Sequence, residues 1–293
     1  MKLDIIFCGH ITRDIIEIEN EKNFSIGGSV TYGSLCASNL GLRCGIVSKV
    51  GRDFALDEFI SRGIDVEGVK KENQTTTFIN FYDKNFRRTQ RVMHKCTKIK
   101  IEDFPERYKK INYIHLCPVL DEISLGVFQE LGDKFISLDP QGFFRKIEKN
   151  SVVSKKWEDM DLFLKHVDLI KISDEELRNV SKYEERAVEK IKKYCDLVIV
   201  TKGDRGSTIY EKKRIDIPVI PPREVVDPTG AGDVFITGFL YKFIKGEDIE
   251  KCGLFASSLA SIVLESMGCS KIPTEKEVNS RLEEYLSNKY INL

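Results

Sequence analysis

The sequence lacks the features that mark several large classes of protein. Its eight cysteines are scattered and no two form a C-x-x-C pair, so neither a zinc site nor a disulfide framework is indicated, and buried thiols in a reducing compartment are expected. Lysine plus arginine and aspartate plus glutamate each number 46, and this balance indicates no nucleic-acid partner and no anionic membrane surface. No apolar run approaches the ~18 residues of a membrane-spanning helix.

The start of the sequence carries no leader pattern. The apolar stretch from Leu3 to Gly9 is too short to hold the hydrophobic region of a signal peptide and its cleavage site. We therefore expect a cytoplasmic protein.

The stretch from Asp227 to Leu240, DPTGAGDVFITGFL, contains the strongest local signal. Its three small residues, Gly230, Ala231 and Gly232, precede an apolar pattern at helical spacing, which predicts a helix that begins on unobstructed backbone amides. Such amides and the helix dipole favour a bound anion. Asp233 beside an anion site is explained if its carboxylate takes a proton from a hydroxyl that attacks a phosphoryl group.

Two other glycine motifs are excluded by spacing. A dinucleotide-binding G-x-G-x-x-G would need glycine at position 235, where the chain has Phe235. A Walker loop needs lysine directly after its last glycine, and neither Gly232 nor Gly33 is followed by one. A helix that merely starts on glycines would leave Asp227 and Asp233 unexplained.

The middle of the chain alternates short apolar strands with helical stretches. The strand segments are INYIHL, KFISLD, DLIKIS and DLVIVT, and the helical stretches include residues 124–131 and 184–194. This alternation predicts an α/β fold with a mainly parallel sheet covered on both faces. Ligand-binding loops are then expected at the carboxyl ends of the strands.

A smaller β-rich region lies in the first third. Residues 74–93 indicate two strands joined by a hairpin at Asp83 to Asn85. Together with strands near residues 13–26 they predict a small separate sheet. We interpret Arg87, Arg88 and Arg91 as charges that protect a solvated edge strand rather than as substrate ligands.

The motif DPTGAGD, followed by an apolar run with Gly238, resembles the C-terminal signature of the ribokinase/PfkB family of sugar kinases. The resemblance implies one ribokinase-like domain over residues 1–293, a three-layer α/β/α sandwich with a lid made of segments 13–26 and 74–93. It implies that Asp233 is the catalytic base and that residues 230–232 form the anion hole. Asp227 would lie near the phosphates and a monovalent cation.

The resemblance also covers the substrate side. The turn at Gly27 and Gly28 opens a helix that ends near Gly41, as in the family's N-terminal motif, and Tyr32 stands where the family usually has asparagine. The family carries an aspartate at position 14 that binds substrate hydroxyls. His10 nearby is more typical of a structural residue. The substrate-binding residues implied in this way are Asp14, Gly27, Gly28 and Tyr32. Gln141 and Arg145 are added from their position, because SLDPQGFFR places them with Asp139 after a predicted strand. An arginine there either holds a phosphate bidentately or lies at the surface.

On the nucleotide side, Ser173-x-x-Glu176 has the spacing of a helix capping box. The family has N-x-x-E here, associated with magnesium and phosphate, so Ser173 departs from the pattern and Glu176 matches as an indirect metal residue. TKGDRG at 201–206 matches the family's nucleotide loop. The implied ATP-binding residues are Lys171, Ser173, Glu176, Thr201, Gly203, Gly206, Asp227 and Thr229.

The resemblance implies an enzyme that uses ATP and Mg²⁺ to phosphorylate a hydroxyl of a small sugar or polyol. Tyr32, the DPQGFFR stretch and the KISDEE stretch are more similar to the myo-inositol kinase branch than to ribokinase or fructokinase. A nucleoside kinase is the alternative, with Tyr32 as an aromatic wall for the base. A non-catalytic ligand-binding protein of the same fold is a third hypothesis. Pairing through the lids would make the protein a homodimer.

Overall fold

The computed structural model describes residues 2–18, 21–82, 88–268 and 270–291. The predicted hairpin turn at Asp83 to Asn85 and the cation Arg87 lie outside these residues. The strands that they form are β1 (Ile5–Cys8), β2 (Thr12–Ile18), β3 (Glu21–Gly27), β4 (Cys44–Gly51), β5 (Asp65–Glu72), β6 (Thr76–Tyr82), β7 (Arg88–His94), β8 (Tyr113–Leu116), β9 (Phe135–Leu138), β10 (Arg145–Glu148), β11 (Ser151–Ser154), β12 (Leu169–Ser173), β13 (Leu197–Thr201), β14 (Ser207–Tyr210) and β15 (Arg214–Ile217).

The α-helices alternate with the strands in the middle of the chain, and the last three follow one another without a strand between them in the described ranges. Within the described residues they are α1 (Ser29–Asn39), α2 (Asp57–Ser61), α3 (Leu125–Glu130), α4 (Met160–Leu164), α5 (Asp174–Leu177), α6 (Glu184–Ile191), α7 (Ala231–Ile244), α8 (Ile249–Val263) and α9 (Glu275–Ile291). No helix in this part of the chain is long and apolar enough to cross a membrane.

The larger sheet has nine strands in the order β15-β14-β13-β12-β9-β8-β1-β4-β5. From β13 to β5 every neighbouring pair is parallel, and β14 and β15 add an antiparallel edge. Strands β1 and β4 are buried along their whole length, as expected for a parallel sheet covered on both faces.

Alternate residues of β1 belong to two different hydrophobic cores. Ile6 and Cys8 pack with helices α3 to α6, while Ile5 and Phe7 pack with helices α1, α2, α7 and α8. Because neighbouring residues of a strand point to opposite faces, each core lies on one side of the sheet. The result is a three-layer α/β/α sandwich, which confirms the predicted fold class.

The smaller sheet has six strands in the order β10-β11-β7-β6-β2-β3. Strands β2, β3, β6 and β7 fall within or beside the two segments that the sequence pattern assigns to a lid. The short hairpin of β10 and β11 was not predicted, and it turns through Lys149 and Asn150, whose φ angles are 48° and 68°. Four-residue strands of mixed composition carry too little alternation to be recognised along the chain. We call this second sheet the lid.

The lid stands over the carboxyl ends of the parallel strands. Strand β2 begins four residues after β1 ends, which ties the lid to the centre of the large sheet. Thr12 and Asp14 of β2 face the sandwich and Arg13 and Ile15 face away from it. The lid therefore has one face turned towards the strand ends and one turned outwards.

Candidate active site

A cavity of about 230 Å³ lies between the lid and the carboxyl ends of the large sheet. This is the edge at which open α/β sheets bind ligands. Most of the predicted catalytic and substrate residues line it. The lining residues are Thr12, Asp14, Gly28, Ser29, Tyr32, Phe78, Gln90, Val119, Gln141, Arg145, Lys171, Pro228, Thr229, Gly230, Gly232 and Asp233.

Two long helices begin at this cavity, and each begins on a glycine. Gly28 precedes α1 with φ 90°, and Gly230 precedes α7 with φ 79°, in the left-handed region that favours glycine. A Cβ atom on Gly230 would lie 2.3 Å from Cδ1 of Tyr32, and one on Gly28 would lie 2.3 Å from the carbonyl oxygen of His10. Both helix N-termini therefore approach the cavity closely, and their free amides favour an anion there.

Asp233 lies in the first turn of α7 and lines the cavity. Burial of the carboxyl group and the nearby charge of Asp139 raise its pKa from the ordinary 3.8 to about 6, although Lys171, a hydrogen bond with Ser29 and Arg145 act in the opposite direction. A carboxylate with this pKa is ionised at neutral pH and is a stronger base than an exposed aspartate. Asp233 is therefore suited to accept a proton from a hydroxyl.

A buried ion pair stands beside Asp233. The ammonium of Lys171 lies 2.6 Å from Oδ2 of Asp139, and the two side chains are 7% and 2% exposed. Lys171 lies on β12, and Asp139 directly follows the adjacent parallel strand β9. Burial lowers the pKa of Lys171, but the carboxylates of Asp139, Glu176 and Asp233 outweigh it and raise the pKa, so the side chain is a cation.

The same cation explains why position 232 has no side chain. A Cβ atom on Gly232 would lie 2.9 Å from Nζ of Lys171, which is closer than such atoms approach in proteins. The glycine thus admits an ammonium to the N-terminus of α7. The amides and the ammonium together form a positively charged wall, on which the transferred phosphoryl group of a donor can be held.

The lid side of the cavity carries Asp14. Oδ1 of Asp14 accepts a hydrogen bond of 2.9 Å from the hydroxyl of Thr12, and a Cβ atom on Gly27 would lie 2.5 Å from Oδ2. Gly27 itself does not line the cavity, but its lack of a side chain makes room for this carboxylate. Asp14 is therefore placed to accept hydrogen bonds from substrate hydroxyls.

Gln141 and Arg145 reach the cavity from the turn after β9. The backbone amide of Gln141 donates to Oδ1 of Asp139 at 3.4 Å, and Nη1 of Arg145 donates to the carbonyl oxygen of Val119 at 3.4 Å. The turn thereby connects the buried ion pair to the substrate side, and Arg145 adds positive charge near Asp233.

Of the predicted nucleotide-side residues, Lys171 and Thr229 line the cavity. Five others lie outside its lining, at or after the ends of β12 and β13; they are Ser173, Glu176, Thr201, Gly203 and Gly206. Ser173 and Glu176 form the predicted capping box: the hydroxyl of Ser173 accepts from the amide of Glu176 at 3.2 Å, and Oε2 of Glu176 accepts from the amide of Ser173 at 3.0 Å. Thr201 is paired with Ser173 in the sheet. The loop that follows turns through Gly203 and Gly206, with φ angles of 58° and 80°.

The carboxyl group of Glu176 is the candidate for indirect metal binding. Its pKa is raised by burial and by the charge of Asp139, so a nearby cation would favour its ionised form. In the described part of the chain no three acidic, histidine or cysteine side chains cluster to hold a metal ion by themselves. This donor set fits Mg²⁺ held through nucleotide phosphates and water rather than in a protein cage.

Asp227 and His10 make hydrogen bonds that hold the local structure, and Ala231 does not reach the cavity. The two oxygens of Asp227 accept from the amides of Thr229 and Gly268, each at 2.9 Å, which holds the turn before α7 in place. Ala231 is the first residue of α7 but does not line the cavity. His10 is fully buried, with Nδ1 against the hydroxyl of Thr76 and Nε2 against a backbone oxygen, as expected for a structural histidine.

Six lining residues were not predicted from sequence. Thr12 could have been found, because it precedes Asp14 by two residues on the same strand and therefore shares its face. Ser29 could have been found as the first residue after the glycine pair. The other four carry no local signal; they are Phe78, Gln90, Val119 and Pro228.

The chain is similar to known proteins in both sequence and fold. Residues 5–276 match the family described as pfkB family carbohydrate kinase. A nucleoside kinase of Methanocaldococcus jannaschii is 29% identical over 306 residues, covering 97% of this chain and 98% of that protein. An inositol 3-kinase of Arabidopsis thaliana is 26% identical over 284 residues, covering 91% of this chain and 75% of that protein. The crystal structure of the M. jannaschii enzyme matches with a TM-score of 0.80 at 26% identity, covering 97% and 99%.

Proposed function

The chain belongs to the pfkB family of carbohydrate kinases, and on this basis we propose that it transfers the γ-phosphoryl group of ATP to a sugar hydroxyl of a nucleoside. The observation that carries the proposal is the position of Asp233. Its carboxyl group, with a pKa raised to about 6, stands at the N-terminus of a helix, inside a cavity whose far wall contains aromatic and polar side chains.

The reaction follows from the side chains in place. Asp233 accepts the proton of the substrate hydroxyl while the hydroxyl oxygen forms a bond to the γ-phosphorus. The bond from that phosphorus to the bridging oxygen of the donor breaks, and its electron pair leaves with ADP. The amides at the start of α7 and the ammonium of Lys171 stabilise the negative charge on the transferred group.

Magnesium, when bound, would neutralise charge on the nucleotide phosphates, and Glu176 is the residue that we expect to hold it through water. The family resemblance supports ATP as donor, with the nucleotide lying along the ends of β12 and β13. A monovalent cation near Asp227 remains part of the proposal.

A nucleoside needs a wall for its base, and the cavity offers one. Phe78 and Val119 line it and are 3% and 4% exposed, in a small apolar cluster beneath the lid. Tyr32 adds a second ring on the side of α7. The nucleoside kinase above also matches this chain with higher identity and coverage than the inositol kinase does. We therefore place a nucleoside first, although the sequence motifs alone favour a myo-inositol-like polyol.

A cyclic polyol remains the second candidate, for a specific reason. Asp14, Gln141 and Arg145 surround the cavity with hydrogen-bonding groups, which suits a ring bearing many hydroxyls. This is the preference that the sequence motifs indicate.

An assay of ADP release over a panel of nucleosides, myo-inositol, ribose and fructose separates the candidates. We expect the highest kcat/KM with a nucleoside, and phosphorus NMR of the product identifies the hydroxyl. If myo-inositol is turned over and no nucleoside is, the substrate proposal fails. Tight binding of one compound without turnover of any would instead indicate a ligand-binding protein.

We also propose that two copies pair through the outer faces of their lids. That face carries a groove of about 740 Å³ lined by Ile15, Phe24, Ile26 and Met93 among others. Phe24 is 76% exposed and Met93 is 51% exposed, which is unusual for large apolar side chains on one patch. A second lid would cover them.

A further inference from the structure

Two side-chain amides on the strands of the lid have no role in the proposed phosphoryl transfer. Nε2 of Gln90 donates a hydrogen bond of 3.0 Å to Oδ1 of Asn80. Gln90 lines the cavity, whereas Asn80 is 3% exposed and does not. We propose that Gln90, oriented by Asn80, selects nucleosides whose base carries an exocyclic amino group. This inference rests on the proposed nucleoside kinase activity.

The register of the lid strands places the amide pair where a base would lie. Asp14 is paired with Phe78 across β2 and β6, and Asn80 is paired with Gln90 across β6 and β7. Phe78 and Asn80 are two residues apart on one strand and so face the same side. Along this face the order is the carboxylate of Asp14, then the ring of Phe78, then the amides of Asn80 and Gln90.

This order matches the order of groups in a nucleoside. With its sugar hydroxyls at Asp14, the base extends over Phe78 and brings its outer edge towards Gln90. Cross-strand neighbours on one face of a sheet are close enough to contact the same small ligand. The lid thus has a place for a sugar and a place for a base edge, side by side.

The hydrogen bond within the pair decides which atoms of Gln90 meet the ligand. One N–H of its nitrogen is engaged by Asn80, which fixes the plane of the amide. The carbonyl oxygen Oε1, which can only accept, and the second N–H are then presented to a ligand side by side, to meet an amino group and the ring nitrogen next to it. The amino groups of cytosine and adenine donate to such an oxygen. The carbonyl groups at the same positions of uracil and hypoxanthine would place two acceptors against each other, which is costly in a desolvated site.

Asn80 is suited to holding this orientation because it is buried. A buried amide must satisfy its hydrogen bonds within the protein, so its bond to Gln90 is costly to give up. Reversal of both amides would preserve the bond but would present only the nitrogen of Gln90 to the ligand. Substrate preference distinguishes the two arrangements, because a donor at Gln90 would favour the carbonyl bases.

The first experiment compares kcat/KM of the wild-type protein for cytidine against uridine and for adenosine against inosine. We expect the amino base to be favoured about tenfold within each pair, as for one hydrogen bond made or lost in a desolvated site. Equal rates, or a preference for uridine and inosine, would overturn the assignment. If myo-inositol alone is phosphorylated, the nucleoside proposal itself fails, and that result is read from the wild-type panel before any variant is made.

Variants then test whether Gln90 is the cause. Gln90→Leu removes the acceptor at similar volume, and the preference should fall to about twofold or less. Thr89→Ala, on the exposed side of the same strand, is the control and should keep the full preference.

Asn80→Asp offers only an acceptor to Gln90, so it should keep the preference too. Thermal unfolding of each variant shows that the lid is folded; a folded Gln90→Leu protein with unchanged preference would overturn the inference.

Discussion

The two walls of the cavity differ in their side chains and in the elements that carry them. The sandwich wall carries Asp233 at the start of a helix and Lys171 on a parallel strand, and Lys171 is paired with the buried Asp139 behind it. The lid wall carries Asp14, Phe78 and Gln90 on antiparallel and mixed strands whose outer face is exposed. In the proposed mechanism the first wall supplies the groups of a phosphoryl transfer, and the second supplies the surface that selects the substrate. Chemistry and selectivity would then occupy separate elements of the fold.

The largest effect is expected from Asp233→Asn. Without the carboxylate no group in this position accepts the proton, so kcat should fall about 10³-fold. Calorimetry should show that the affinities for ATP and nucleoside are largely retained, because the amide keeps the shape of the side chain. Asp133→Asn, at an exposed carboxylate remote from the cavity, serves as the control. Near wild-type turnover of the Asp233 variant would place the base elsewhere.

Lys171→Met should lower both kcat and the stability of the fold. Loss of the ammonium removes a charge that stabilises the transferred group, and we expect kcat to fall about 10²-fold. It also leaves Asp139 buried and unpaired, which should lower the free energy of unfolding by about 3–5 kcal/mol.

The double variant Asp139→Asn with Lys171→Met separates these two effects. Removal of both charges should restore most of the stability in urea unfolding but not the turnover. Recovery of turnover in the double variant would show that Lys171 acts only as a structural partner of Asp139.

The pH dependence should distinguish the sandwich wall from the lid. Because Asp233 must be ionised and its pKa is about 6, kcat/KM should rise with pH up to about 6 and then level off. The lid variant Gln90→Leu should keep this profile, since it alters no ionisable group. A profile without an inflection between pH 5 and 7 would contradict the role of Asp233.

The same pKa has a consequence for stability. A carboxyl group whose pKa is about 6 when folded and ordinary, 3.8, when unfolded binds its proton more tightly in the folded state. It therefore lowers stability as the pH rises from about 4 to 6. Asp233→Asn should accordingly melt at a higher temperature than the wild type above pH 6, and the difference should shrink towards pH 4.

The smallest effect on catalysis is expected at the outer face of the lid. Phe24→Ser should shift the protein from dimer to monomer in light scattering, because it removes the most exposed apolar side chain of the groove. Turnover should be nearly unchanged, since the outer face does not reach the cavity. A wild-type protein that is monomeric at high concentration would exclude pairing through the lids.

Much of this protein could be predicted along the chain because the signals are local. The strand and helix alternation, the glycine start of α7 with Asp233 and the capping box of Ser173 and Glu176 each depend on residues within a few positions of one another. Their hydrogen bonds and dihedral angles are set by near neighbours, so spacing is enough to recognise them.

The tertiary structure decided which distant residues meet. Asp139 and Lys171 are 32 residues apart, and only the adjacency of β9 and β12 makes them an ion pair. Phe78 and Gln90 became cavity residues because the order of the lid strands folds them over the ends of the large sheet, and Val119 lies there because it follows β8. Strand pairing order is a property of the whole fold and leaves no trace in local spacing. Asp233, the proposed base, was therefore visible in the sequence, while six of the residues that line its cavity were not.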